Sequence, residues 1–326
     1  MGRKRGRKRR RLALVGVAAA SLGGLWTYAR SANSRYEHLD LEDVEKPGQW
    51  LKVDGVRLHC VESGEGPVLV LIHGLGAYTF SFRKVIPELA RRFRVIALDL
   101  KGFGYSERPP HGDYSLTEQA RLVWKALGQL GVSRGAVLGH SMGGAVAMRL
   151  ALAHPEMVER LVLAASASDH DLGRFSWGAA LAGRLLPLLA PFTYYNRRFR
   201  EFSIRSGYHD PSRCTDDVIE GYMKPGRIRG YLRSLGNTMA SWRKDPPLHP
   251  WQITQPTLIL WGASDRWLPP SRGQRLQRLI PNSRLVVVRE AGHLLFDEQP
   301  EACVGAIEEF LGVRLEAEAS AGGSRA

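Results

Sequence analysis

The chain has 326 residues, 44% of them hydrophobic, and a formal net charge of +14. This is enough for one large α/β domain with an insertion, or two small domains, around a substantial core. Cys60, Cys214 and Cys303 are widely spaced and odd in number, with no CxxC or Cys/His cluster, which excludes a disulfide framework and a cysteine zinc site.

The basic excess is local. Residues 1–30 hold nine Lys/Arg and no acid. A block of this kind beside an apolar run is not the basic stripe of a nucleic-acid binder, so no nucleic-acid partner is expected. Residues 3–11 are the basic block, and residues 12–29 are uncharged, rich in Leu, Val and Ala, and closed by Trp26 and Tyr28. As a helix the run would span about 27 Å, just enough for a bilayer core, with the aromatic pair at interface height. It reads as a transmembrane signal anchor. The alternatives are a cleaved signal ending near Ala18-Ala19-Ala20, and a basic tail followed by a helix packed on the protein. The positive-inside rule puts residues 1–11 in the cytoplasm and the globular part on the other side. Residues 30–48 read as a polar linker.

From residue 49, strand and helix patterns alternate. Segments 50–53 and 56–61, joined by Asp54-Gly55, predict a hairpin. Strands follow at 68–72 and 94–98, with a helix at 82–91 between them. A helix at 116–130 precedes a strand at 135–138. A further helix from 144 leads to a strand at 161–164. Strands at 257–261 and 285–288 flank a helix at 271–279, and a helix at 303–311 closes the domain. Apolar strands alternating with helices predict a mostly parallel sheet. The alternation breaks over 169–251, where aromatic residues, prolines and glycines predict several short helices inserted after the sixth strand, a cap over the site. The core is expected at 49–168 and 252–312, with a disordered tail at 313–326.

Three loops at strand ends carry chemistry. Gly139-His140-Ser141-Met142-Gly143 lies between a strand and a helix, the setting of a nucleophile elbow, and Ser141 is the candidate nucleophile. Serine is a weak nucleophile without a base. In chain order, Asp265 ends the loop after strand 257–261 and His293 ends the loop after 285–288. His293 would take the serine proton, and Asp265 would fix its tautomer. The loop His73-Gly74-Leu75-Gly76 follows strand 68–72. The backbone N–H groups of Leu75 and Met142 are the predicted oxyanion hole, and Gly74 and His140 beside them are expected substrate contacts. His73 is read as a brace for its loop. Asp99-Leu100-Lys101-Gly102-Phe103-Gly104 lacks the spacing of a nucleotide-binding loop and is read as the pocket floor.

Together the HGLG, DLKGFGYS, GHSMGG, SDRWLP and EAGHLLFDEQPE segments closely resemble the α/β-hydrolase superfamily, over about residues 49–312. The resemblance implies an eight-stranded, mostly parallel sheet with a helical cap, and no metal or organic cofactor. It also sorts the branches. Epoxide hydrolases and haloalkane dehalogenases of this superfamily use an elbow aspartate, where this chain has Ser141. Carbon–carbon bond hydrolases usually carry asparagine before the nucleophile and tryptophan after the histidine, where this chain has His140 and Leu294. The anchor and aromatic-rich cap look similar to membrane-bound monoacylglycerol lipases. The expected reaction is therefore acyl transfer on a lipophilic carboxylic ester. A carbon–carbon or haloperoxidase-like hydrolase and a non-catalytic binding protein of this fold stay open, as does oligomeric state.

Overall fold

The computed structural model of the chain describes residues 21, 23–168 and 176–312. A hairpin opens the sheet. Asp54 and Gly55 both take positive φ (47° and 82°), the two-residue turn that matches strand twist, and join β1 (Gln49–Val53) to β2 (Val56–Ser63). The remaining strands are β3 (Val68–Ile72), β4 (Arg94–Leu98), β5 (Gly135–His140), β6 (Val158–Ala164), β7 (Thr257–Gly262) and β8 (Ser283–Val288). They form one eight-stranded sheet in the order β1-β2-β4-β3-β5-β6-β7-β8. Only the β1–β2 and β2–β4 pairs are antiparallel. The central strands β5 and β7 are buried at every residue, which is why they read as unbroken apolar runs.

Helices α1 (23–36), α2 (Ile86–Leu89), α3 (Leu116–Gln129) and α4 (Met142–Ala153) precede β6. The expected helix at 82–91 is instead a 3-10 turn, Thr79–Phe82, and the short α2. Pro87 explains the break: at an interior helical position it removes a donor, so α2 begins beside it. Between β6 and β7 lie α5 (Ser176–Leu189), α6 (Arg197–Ser206), α7 (Asp216–Met223) and α8 (Tyr231–Ser241). Helices α5 and α8 cross at Gly183 and Gly236, where a Cβ on either glycine would come within 2.7 Å of the other's carbonyl oxygen. The chain closes with α9 (Ser271–Leu279), α10 (Leu295–Glu298) and α11 (Pro300–Leu311).

Most of residues 1–29 and all of 313–326 lie outside the described residues, and with them most of the expected anchor and the tail. Among the described residues no helix is long and apolar enough to cross a membrane. The expected linker at 30–48 is corrected in its first part. Residues 30–36 continue α1, and the helix docks on the segment between β6 and β7. Ala29 is buried, Asn33 Nδ2 donates to the Pro187 carbonyl at 2.8 Å, and the Tyr36 and Tyr195 rings stack at 3.9 Å. The Glu37 carboxylate accepts from the Gly230 and Leu232 N–H groups, both at 2.8 Å, and from the Tyr195 hydroxyl at 2.7 Å. These N–H groups belong to the open N-terminus of α8, which a carboxylate suits. The polarity that suggests a linker is used to cap a distant helix.

Candidate active site

Ser141 is the single residue between β5 and α4. Its φ of 53° and ψ of −121° are unfavourable for any residue with a side chain, at a cost of about 1–3 kcal/mol. The glycines around it make the turn possible. A Cβ on Gly139 would lie 2.3 Å from the Gly143 carbonyl oxygen, and one on Gly143 would lie 2.2 Å from that of Ile72. Helix α4 folds back so tightly that neither motif position can carry a side chain.

Strands β5 to β8 run parallel, so the loops after them emerge at one edge of the sheet. Asp265 and His293 meet there. His293 Nδ1 donates to Asp265 Oδ2 at 2.8 Å, and both residues are buried. The second carboxylate oxygen, Oδ1, accepts from the Trp267 and Leu268 N–H groups at 2.9 and 2.8 Å. The carboxylate is thus held on both oxygens, and the imidazole keeps its hydrogen on Nδ1, which leaves Nε2 as the basic nitrogen.

Ser141, His293, Gly74 and Leu75 border one pocket of about 270 Å³. Gly74 is close enough to Ser141 that a Cβ on it would lie 2.9 Å from the serine Cβ. Met142 is buried as the first residue of α4, so its N–H is one of the open donors at the positive end of a twelve-residue helix. His140 also borders the pocket, but its principal contact is with the histidine loop. Its Nε2 donates to the His293 carbonyl at 2.9 Å. Burial, with His293 nearby, pushes the His140 pKa down to about 3, so this ring is neutral.

His73 bridges two loops. Its Nδ1 donates to the Gly74 carbonyl at 2.7 Å, and its Nε2 accepts from the Leu100 N–H at 2.9 Å. Burial holds it below the ordinary histidine value, as this neutral tautomer requires. The Asp99–Gly104 loop is thus braced against the HGLG loop.

Trp267, Arg200 and Glu298 take places in the site that a reading of the sequence alone does not assign. Trp267 lines the pocket with its ring 4.9 Å from that of His293. More of the lining comes from the segment between β6 and β7, through Tyr194, Phe199, Arg200, Tyr222 and Tyr231. Tyr231 also donates from its hydroxyl to the Gly76 carbonyl at 3.0 Å, tying α8 to the HGLG loop. Buried Glu298 accepts N–H bonds from Gly292, His209 and Asp210 at 2.7, 2.9 and 3.1 Å, fastening the histidine loop to the same helical segment. Asp297, the other acid near His293, is occupied elsewhere. It pairs with Arg83 at 2.7 Å and accepts from Tyr208 and Tyr222 at 2.9 and 3.0 Å. Among the described residues no group of three or more His, Cys, Asp or Glu is placed to hold a metal ion.

Residues 67–200 and 222–300 match the family described as the alpha/beta hydrolase fold. The chain is 32% identical over 283 residues to an uncharacterized hydrolase, YugF, of Bacillus subtilis, covering 82% of this chain and 99% of that protein. It is 34% identical over 287 residues to a 2-hydroxymuconate semialdehyde hydrolase of Pseudomonas putida, covering 81% and 94%. Epoxide hydrolase 4 of Mus musculus is more distant, at 28% over 287 residues, covering 80% and 78%. Among solved structures, a thermophilic esterase from Thermogutta terrifontis superposes with a TM-score of 0.70 at 25% identity, covering 81% of this chain and 98% of that one.

Proposed function

Because the chain belongs to the alpha/beta hydrolase fold family, we propose that Ser141, His293 and Asp265 are its catalytic triad and that it cleaves a lipophilic carboxylic ester. The observation that carries the reading is the joint geometry: a serine on a strained turn, sharing one pocket with a histidine whose Nδ1 is fixed by a buried carboxylate.

Ser141 Oγ attacks the ester carbonyl carbon while its proton passes to His293 Nε2. The resulting oxyanion is taken up by the Leu75 and Met142 N–H groups, each worth about 3 kcal/mol. The C–O bond to the alcohol then breaks, and His293 returns the proton to the leaving oxygen. Water, deprotonated by His293, attacks the acyl-serine and releases the acid and free Ser141. Asp265 stabilises the imidazolium in both halves. Serine also argues against epoxide opening. Attack of an alcohol on an epoxide gives an ether that water cannot cleave, whereas a carboxylate gives an ester that it can.

The apolar lining supplied by Leu75, Ile204, Met223, Leu235 and Leu294 suits an acyl chain. The basic block at 3–11 and the apolar run at 12–29 support a single-pass anchor, with the hydrolase on the extracytoplasmic side.

A second reading has its own observation. Arg200 puts a cation on the pocket wall that a neutral ester does not need, and one relative is a 2-hydroxymuconate semialdehyde hydrolase. This favours hydrolytic cleavage of a carbon–carbon bond in an acidic ring-fission product. The test uses the full chain in detergent, with p-nitrophenyl esters from acetyl to palmitoyl beside a ring-fission keto acid, and Ser141→Ala as control. Serine-dependent ester turnover that rises with chain length is expected. Turnover of the keto acid alone would establish the second reading.

A further inference from the structure

The helices over the pocket carry large apolar side chains on their outer surface. Phe202 is 72% exposed, Leu181 59% and Phe192 53%. Leu185, Leu189 and Phe199 are exposed as well. Single exposed apolar residues are ordinary, but a run of them along α5 and α6 marks a surface that something covers.

The chain itself indicates the cover. Helix α1 docks across these helices, and its first seven residues, 23–29, are the end of the apolar run at 12–29. Its Trp26 and Tyr28 are exposed, and the Tyr28 ring lies 5.8 Å from that of Phe192. If the run leaves a bilayer at its aromatic end, Phe192 sits at the same depth. Helix α6 continues the pattern. Its sequence is Arg-Arg-Phe-Arg-Glu-Phe-Ser-Ile-Arg-Ser, with Phe199 and Phe202 one turn apart among four arginines. Apolar anchors flanked by basic residues are the signature of a helix lying in the interface of an anionic membrane. Phe199 has two roles: it is exposed on this surface and also lines the pocket. The pocket therefore opens onto the apolar face.

We infer that the face formed by Phe192, Phe199 and Phe202 with Trp26 and Tyr28 rests in the interfacial layer of an anionic bilayer, so that substrate enters past Phe199 from the lipid. The entry route rests on the ester reading; the position of the face does not.

The test is made so that the two can fail separately. Full-length Phe192→Cys, Phe202→Cys and Gln277→Cys proteins are labelled with a polarity-sensitive dye. The native cysteines are buried, at 0–2% exposure, and stay unlabelled. Gln277 is an exposed residue of α9. The proteins are reconstituted into phosphatidylcholine vesicles with and without phosphatidylglycerol. At positions 192 and 202 the emission shifts to the blue and is quenched by nitroxides on the lipid acyl chains, more strongly with phosphatidylglycerol, and at 277 it is not. Equal, unquenched emission at all three sites would overturn the inference. So would a blue shift that appears without lipid and grows with protein concentration, because a second copy would then cover the face. In the activity arm, Phe202→Asp lowers hydrolysis of a vesicle-borne long-chain ester at least about tenfold relative to a water-soluble short one. Equal loss on both esters would overturn the entry route. If no ester is turned over at all, the ester reading and its route fall together, and the dye alone decides the position of the face.

Discussion

Two buried histidine–aspartate pairs in this molecule have the same geometry and different surroundings. In each, Nδ1 donates to a carboxylate Oδ2 at 2.8 Å. The His293 ring borders the pocket beside Ser141. The His59 ring is fully buried between strand β2 and the Asp99 loop, and its Nε2 donates to the Pro47 carbonyl. Acceptors on both nitrogens favour the protonated ring of His59. Burial opposes that charge, but Asp99 and the Pro47 carbonyl outweigh burial and hold the pKa above the ordinary value. Asp99 also accepts from the Thr79 and Tyr105 N–H groups at 2.7 and 2.9 Å, so the pair fastens four segments together. A histidine–carboxylate pair is therefore no sign of catalysis by itself. What distinguishes His293 is that it borders the same pocket as Ser141, whereas the second nitrogen of His59 is bound to the Pro47 carbonyl.

Substitutions at the two pairs should separate chemistry from stability. The largest effect is expected at Ser141. Ser141→Ala should cut kcat by about 10⁶, leaving only background turnover, with an unchanged unfolding midpoint in urea. Asp265→Asn should lower kcat by about 10⁴, because an amide favours the wrong imidazole tautomer, while the protein stays folded. Asp99→Asn should do the reverse. It leaves the His59 charge without its counter-ion, at a cost of about 3–5 kcal/mol read from urea unfolding, and the molecules that remain folded keep their kcat. Equal loss of kcat in both variants would remove the distinction between the pairs.

Smaller effects sharpen it. In Gly74→Ala the new methyl group meets the Ser141 Cβ at 2.9 Å, and kcat should fall about tenfold through displacement of the serine. The third buried ring, His140, gives a pH signature. Its folded pKa, lowered to about 3, lies below that of an unfolded histidine, so the unfolded chain binds the extra proton first. Its contribution is fully present above about pH 6.5 and is lost as the pH falls, by about 2 kcal/mol at pH 5. The raised pKa of His59 acts oppositely: that contribution is present at low pH and fades as the pH rises through the folded value. Thermal scans from pH 7 to 5 should therefore show a shallower fall in Tm for His140→Gln than for the parent.

The same contrast explains what could be read from the sequence. The places of Ser141, Asp265 and His293 at strand ends were legible because each follows an apolar strand, and because the turn at Ser141 needs glycine on either side. The eight-stranded sheet was legible for a similar reason: its central strands are buried throughout. The Asp99–His59 pair was not: Asp99 opens the DLKGFGYS segment, but its partner lies 40 residues away and stands in no motif. Glu298 sits inside a quoted motif, but its N–H donors His209 and Asp210 are 89 and 88 residues away. Residues 30–48 read as a linker because the segment is polar, yet Asn33 satisfies a carbonyl 154 residues on, and Glu37 an N–H 193 residues on. His140 read as a substrate contact because it adjoins the nucleophile, and only its bond to the His293 carbonyl shows the second task. Local rules of spacing find strand ends and turns. They do not find partners that the fold brings together.

The most direct test of Ser141 as nucleophile is covalent. The full chain would be treated with a fluorophosphonate, which phosphonylates an activated serine, digested, and mapped by mass spectrometry. One adduct on Ser141 is predicted, absent from Ser141→Ala and strongly slowed in His293→Ala. A folded protein that takes no label, or that is labelled at another serine, would contradict the assignment.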